Sequence, residues 1–204
     1  MEKELFGLLG VIVGFVLNLI YGTWGKRNQK KQEQYYLAVV VTLQLDRFFD
    51  NAVKLCSDNG MKDEHGDYCP SVPYPELELP GSEVNWRCLP QNVMKDILWM
   101  PETIREALLV IDSIREHRAE RPDFDEFYEA RQYEFAKIAL TANELSSKLR
   151  KIVALPDRIV GDQFFKPLEF LSNKVMEIEK VRNDREQYDR IIAEQLSGLR
   201  PISD

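Results

Sequence analysis

The sequence predicts an all-α protein: a single N-terminal transmembrane helix continuing into an antiparallel helical bundle with one long proline-rich crossover. Three observations lead there. Leu5–Trp24, LFGLLGVIVGFVLNLIYGTW, is twenty residues without a charge, and at about 1.5 Å per residue it matches a bilayer core of about 30 Å. Beyond it, apolar residues return every three or four positions over several long segments, the period of a helix with one buried face. Five of the ten prolines fall within Pro70–Pro90, where they rule out a long helix. The predicted units are an anchor over 1–25 and a bundle over 26–204, with the crossover at 57–92.

The span is expected to stay attached. A cleaved leader has a basic start, a shorter apolar run and a small-residue cleavage site. Here the chain begins Met1-Glu2-Lys3-Glu4, and Tyr21-Gly22-Thr23-Trp24-Gly25 follows the run. Lys26, Arg27, Lys30 and Lys31 stand just past the span. Basic residues stay on the cytoplasmic side, so the N-terminus is expected outside and the domain in the cytoplasm, at the plasma (inner) membrane. Tyr21 and Trp24 occupy the interfacial position favoured by aromatics, and the basic collar could touch anionic headgroups. Gly7, Gly10 and Gly14 fall on one side of the span, with Asn18 one turn further. That pattern allows close helix pairing and hence a homo-oligomer through the membrane helix.

The next helix is read over Gln32–Ser57, with Leu37, Val41, Leu45, Phe48, Ala52 and Cys56 as its buried stripe. No proline separates it from the span, so one rod is expected, with a bend near Gly25. Asp58-Asn59-Gly60 ends it, since Asn and Gly suit a left-handed cap. The crossover is too rich in Tyr, Trp, Val and Leu for a solvated linker, and is expected to pack on the helices. Glu76–Leu79 alternates and reads as extended; strand signals are otherwise too few for a sheet.

Gln91–Trp99 reads as a short helix, after which Pro101 suits the first position of the second long helix, ending near Ala119. Arg121-Pro122 interrupts. Asp123 with Glu126 resembles a capping box opening a helix that runs to about Val153. Its buried residues are expected to be Phe124, Phe127, Tyr128, Phe135, Ile138, Ala142, Leu145, Leu149 and Ile152. Pro156-Asp157 breaks the chain again, and Pro167 opens a last helix that carries Leu168, Leu171, Val175, Ile178, Tyr188, Ile192 and Leu196 and ends near Ser197-Gly198. Three helices of about thirty residues with short links favour antiparallel neighbours in an up-and-down bundle.

The formal charge of −7 divides unevenly. With −1 on residues 1–25 and +4 on 26–31, residues 32–204 carry −10, which argues against nucleic acid as a partner. Three cysteines, an odd and small number, fit a reducing compartment. Cys56, His65, Cys69 and Cys88 are the only soft-metal set, but they lack the paired C-x-x-C spacing of a zinc site. Asp63, Glu64, His65 and Asp67 form an acidic turn without the spacing of a calcium loop. His117 sits in a charged run and reads as a surface residue. No phosphate loop, nucleophile elbow or H-E-x-x-H box is present, so neither catalysis nor a cofactor is indicated. Glu177–Arg190 reads as a solvated helix face or a docking surface. Trp86 and Trp99, with Leu89, Leu98 and Met100, read as crossover packing or an exposed anchor.

The expected function is a single-pass membrane protein whose cytoplasmic domain is an interaction or scaffold module for a protein partner. The alternative is a membrane-tethered metal or redox sensor using Cys56, His65, Cys69 and Cys88.

Overall fold

Residues 2–119, 124–158 and 165–198 are described by a computed structural model, without the side chains of 2–24, 26 and 196–198. The order is α1 (Glu2–Cys56), β1 (Met61–Lys62), β2 (Tyr68–Cys69), a 3-10 turn (Trp86–Cys88), α2 (Gln91–His117), α3 (Asp125–Ile152) and α4 (Pro167–Gly198). The described protein is all-α, with four helices and antiparallel packing.

α3 is the central element, and α1, α2 and α4 all pack directly on it. Its burial is accordingly broad. Phe127, Phe135, Ile138, Ala142, Leu145 and Leu149 are all buried, as the period predicts, and so are Ala130, Ala136 and Ala139 on adjoining faces. Small alanines let neighbouring helices approach closely on more than one side. The predicted stripe of α1 is also buried from Leu37 to Cys56, with no member above 1 % exposure.

Side-chain pairs give the directions. Ser146 and Arg150 of α3 meet Asp46 of α1, whereas Arg131, four to five turns earlier, meets Asp58 just past its end. Arg115 of α2 lies over the Phe127 ring, 5.4 Å away. Glu129 of α3 pairs with Arg182 and Arg185 of α4. α1, α2 and α4 therefore run one way and α3 the other. An up-and-down order would reverse α2 against α1; instead the crossover carries the chain back along the bundle. It leaves α1 at Cys56 and ends beside Glu33 and Gln34, where Asn85 Nδ2 donates to Glu33 Oε2 at 2.8 Å and Gln34 Nε2 donates to the Cys88 carbonyl at 2.9 Å. Those 22 residues of α1 span about 33 Å. The length of the crossover is thus the distance it must retrace.

Several expectations change. Gln91–His117 is one helix with Pro101 inside it, not two. Val93, Ile97 and Met100 before the proline and Ala107 and Ile111 after it are all buried on one face, and that shared burial holds the axis through the one lost hydrogen bond. Strands do occur: β1 and β2 form an antiparallel hairpin, Met61 opposite Cys69 and Lys62 opposite Tyr68, while Glu76–Leu79 forms none. The hairpin turn needs Gly66 at φ +87°, a conformation glycine adopts without steric cost. The start of α3 is not closed by a capping side chain: Phe124 occupies the cap position in a left-handed conformation, and Asp123 lies outside the described residues. On α4, Leu171 and Ile178 are buried, whereas Leu168, Tyr188 and Ile192 are exposed and Leu196 lies outside the described side chains.

α1 carries no helix break between Glu2 and Cys56. Among the described residues no helix is long and apolar enough to cross a membrane. The predicted span, with Gly7, Gly10, Gly14, Asn18, Tyr21 and Trp24, and with Lys26 beyond it, lies outside the described side chains.

Candidate functional site

The crossover is held at its start by a buried ion pair. Asp58 and Arg131 have side chains 2 % and 1 % exposed and meet at 2.8 Å. The Asp58 carboxylate also accepts from the Gly60, Ser71 and Val72 amides at 3.0 Å each and from Ser71 Oγ at 2.7 Å. Arg131 gives a further hydrogen bond to the Val72 carbonyl and lies 5.3 Å from the centre of the Tyr74 ring. Burial alone would raise the Asp58 pKa. The hydrogen bonds from Ser71, Arg131, Val72 and Gly60 outweigh it and hold the carboxyl well below the ordinary range. Gln132 Nε2 donates to the Asp58 carbonyl and to Asn59 Oδ1, both at 3.0 Å. By joining the end of α1, the Ser71–Val72 backbone and Arg131 of α3, the cluster clamps the crossover onto α1 and α3.

Gly60 is part of that clamp. Its φ is +80°, and a Cβ there would fall 2.3 Å from Tyr128 Oη. Both the backbone and the space demand glycine. The sequence reading took Gly60 as a helix stop and did not find Arg131. A signal was present: Arg131 is three residues after Tyr128 and four before Phe135, on the predicted buried stripe. A charge on such a stripe requires a buried partner.

The metal set is not brought together. Among the described residues no group of three or more His, Cys, Asp or Glu side chains is placed to hold a metal ion. Cys56 is fully buried and its Sγ donates to the Gln132 carbonyl at 3.4 Å. Burial pushes its thiol up to about 12 against the opposing charges of Lys174 and Arg131. Cys88 is also buried, and desolvation followed by the Glu33 charge raises its pKa. Cys69 is exposed. In the acidic turn, Asp63 Oδ1 accepts from the His65 and Asp67 amides at 2.8 and 3.0 Å, so its carboxylate closes the hairpin. His117 is exposed, its Nδ1 2.9 Å from the Ser113 carbonyl.

The tryptophans part company. Trp86 is half-buried against the core with Leu89 and Met100, while Trp99 and Leu98 are 61 % and 46 % exposed. Trp99 stands on the rim of a groove of about 580 Å³ between α2 and α3. Met100 and Ile138 form its floor; Lys95, Asp96, Glu134 and Lys137 supply charges of both signs along its walls. Three turns further along α2, Val110 is exposed in line with Trp99. A large exposed aromatic thus stands beside an apolar floor and a charged rim.

The charged run of α4 has a third use that neither sequence reading named. Arg182 Nε and Arg185 Nη1 share the Glu129 carboxylate, each at 2.9 Å, and Arg182 lies 4.2 Å from the centre of the Tyr133 ring. Tyr133 Oη donates to Glu179 at 3.0 Å. Half of the run latches α4 to α3. Glu186 and Arg190 remain an exposed pair at 3.7 Å. Of the basic collar, Arg27, Lys30 and Lys31 are exposed on the lower part of α1.

Comparison with protein-family models, with curated proteins and with solved structures gave no match.

Proposed function

We propose that this chain is a single-pass membrane protein whose helical domain stands in the cytoplasm and docks another protein. The observation that carries the reading is the uncharged stretch Leu5–Trp24 followed within seven residues by four basic ones. It belongs to the same unbroken helix as the core stripe of the bundle, so the domain is held rigidly at its anchor. The groove beside Trp99 supports protein binding: it is open, apolar at its floor and rimmed by charge, and Trp99 itself is left uncovered by the fold. Large exposed aromatics next to a pocket are the usual anchors of protein interfaces. The metal- or redox-sensing alternative has no comparable support, since two of its three thiols are buried and raised in pKa.

Two measurements test this together. The full chain should remain in the membrane fraction after alkaline carbonate extraction, and a C-terminal reporter should be active only in the cytoplasm. Extraction by carbonate removes the anchor; a reporter active only outside removes the orientation. A photo-crosslinker at position 99 should then trap one defined protein, and Trp99→Ala should reduce that partner's recovery about tenfold, the loss expected for an interface anchor. Unchanged recovery removes the groove as the docking site.

A further inference from the structure

Between Gly7 and Leu43, ten helical turns, the outer side of α1 is uncharged; above Leu43 the exposed Arg47, Asp50 and Lys54 come onto the same line. Tyr36 is 63 % and Leu43 52 % exposed, facing away from α3 although both lie within the length of the bundle. Val39, between them, is only partly covered. Eighteen residues make five turns of a helix at 3.6 residues per turn, and α1 runs unbroken from Glu2 to Cys56. The register therefore places Leu43 in line with Gly25 and Gly7, Gln32 with Gly14, and Tyr36 with Asn18. From Gly7 to Leu43 no charged residue falls within about 60° of that line, at about 100° per residue. Arg27, Lys30 and Lys31 lie about 120° to 180° around the helix from Tyr36, on the side that becomes the bundle-facing stripe higher up. A collar in which four of six consecutive residues are basic thus leaves one side free of charge.

We infer that this side of α1 is the contact between two copies of the chain, arranged in parallel as a pair of rods. The observations select a second copy over other occupants. The face is about 54 Å long and passes from the predicted span into the bundle. Lipid can cover only its lower part and a soluble partner only its upper part, whereas a second α1 covers both. Without charge, it offers no complement to an acidic or basic partner. Below Arg47 two identical faces meet without like-charge repulsion, even though each whole chain carries −7. Glycines low on the line let two backbones approach; above them, Gln32 can pair amide to amide, and Tyr36, Val39 and Leu43 supply apolar contact. The parallel direction rests on the anchor reading, since two chains anchored in one membrane with the same topology point the same way.

The test is disulfide cross-linking of the full-length chain in its own membranes, with Cys69→Ser removing the exposed thiol. Cys56 and Cys88 are buried and stay. Gln32→Cys and Leu43→Cys, each alone, are expected to give covalent dimers on mild oxidation, while Arg27→Cys and Lys31→Cys stay monomeric. Positions 32 and 43 are about 16 Å apart along the helix, so both can meet their own copies only in a parallel pair. Dimers at one of the two positions alone would mean an antiparallel pair and overturn the proposal, as would equal cross-linking around the helix, none at all, or adducts to a different protein. Adding Leu43→Glu to Gln32→Cys should abolish the dimer while helicity by circular dichroism is unchanged; retained dimer also overturns it. Carbonate extraction of the same samples reports on the anchor separately, so chains that are membrane-bound but unpaired fail this inference alone.

Discussion

Asp58 and Arg131 show how a single pair of charges can hold a long irregular segment. The carboxylate gathers three backbone amides, one hydroxyl and the guanidinium, so its ionised form is the one the fold requires. Removing one partner of a buried pair leaves the other uncompensated, at about 3–5 kcal/mol. Asp58→Ala is therefore expected to lower stability by that order in a denaturant titration. The pH dependence follows from the depressed pKa. The contribution is complete above the unfolded carboxyl value of about 4 and is lost as pH falls below it toward the folded value. Stability of the native chain should fall as pH drops from 4 to 2, with a shallower fall in Asp58→Asn; equal slopes would show that other carboxylates dominate acid unfolding. The place of Arg131 on the buried stripe was legible, but its partner lies 73 positions away, and no local period reveals which carboxylate it meets. Cys56 was legible, since it continues the apolar stripe of α1 and a stripe position predicts an inert thiol.

At the scale of elements, helix periods carried most of the information. The stripes of α1 and α3 are buried where their spacing places them, because an amphipathic face is a local property of the chain. Terminators were less legible. Pro101 reads as a helix start, yet packing on both sides of it keeps α2 whole. α4 is the least securely packed helix. Its first half buries Leu171 and Ile178, while beyond Arg182 the described side chains are exposed. The Glu129 latch is then the main polar tie for the middle of the helix. Its arginines are partly solvated, at 34 % and 52 % exposure, so the latch contributes only about 1 kcal/mol. Glu129→Gln should leave global stability within about 1 kcal/mol yet raise amide exchange in α4 beyond residue 178, selectively over α3. Exchange rising equally in both helices would mean that α4 and α3 open as one unit.

The whole molecule is organised by one direction reversal that the chain makes twice and one that it avoids. α2 to α3 and α3 to α4 turn back at once, but α1 to α2 does not, and the crossover is the cost of keeping α1 and α2 parallel around a shared α3. Ser71 and Val72 sit at its anchor point, their amides bound to Asp58. Those amides should exchange as slowly as the middle of α3, and fast exchange would show that the crossover opens independently of the bundle. That the protein is all-α, that the helices α1 and α3 carry the stripes they do, and that a proline-rich connection separates the first helix from the next follow from the order of residues alone, because period, proline and capping chemistry act over a few positions. The choice of α3 as the centre, the parallel course of α1 and α2, the pairing of Arg131 with Asp58 and the exposure of Trp99 were decided only when the helices met. Each depends on which stripe faces which, and many arrangements of four amphipathic helices satisfy the same local pattern until long-range contacts select one.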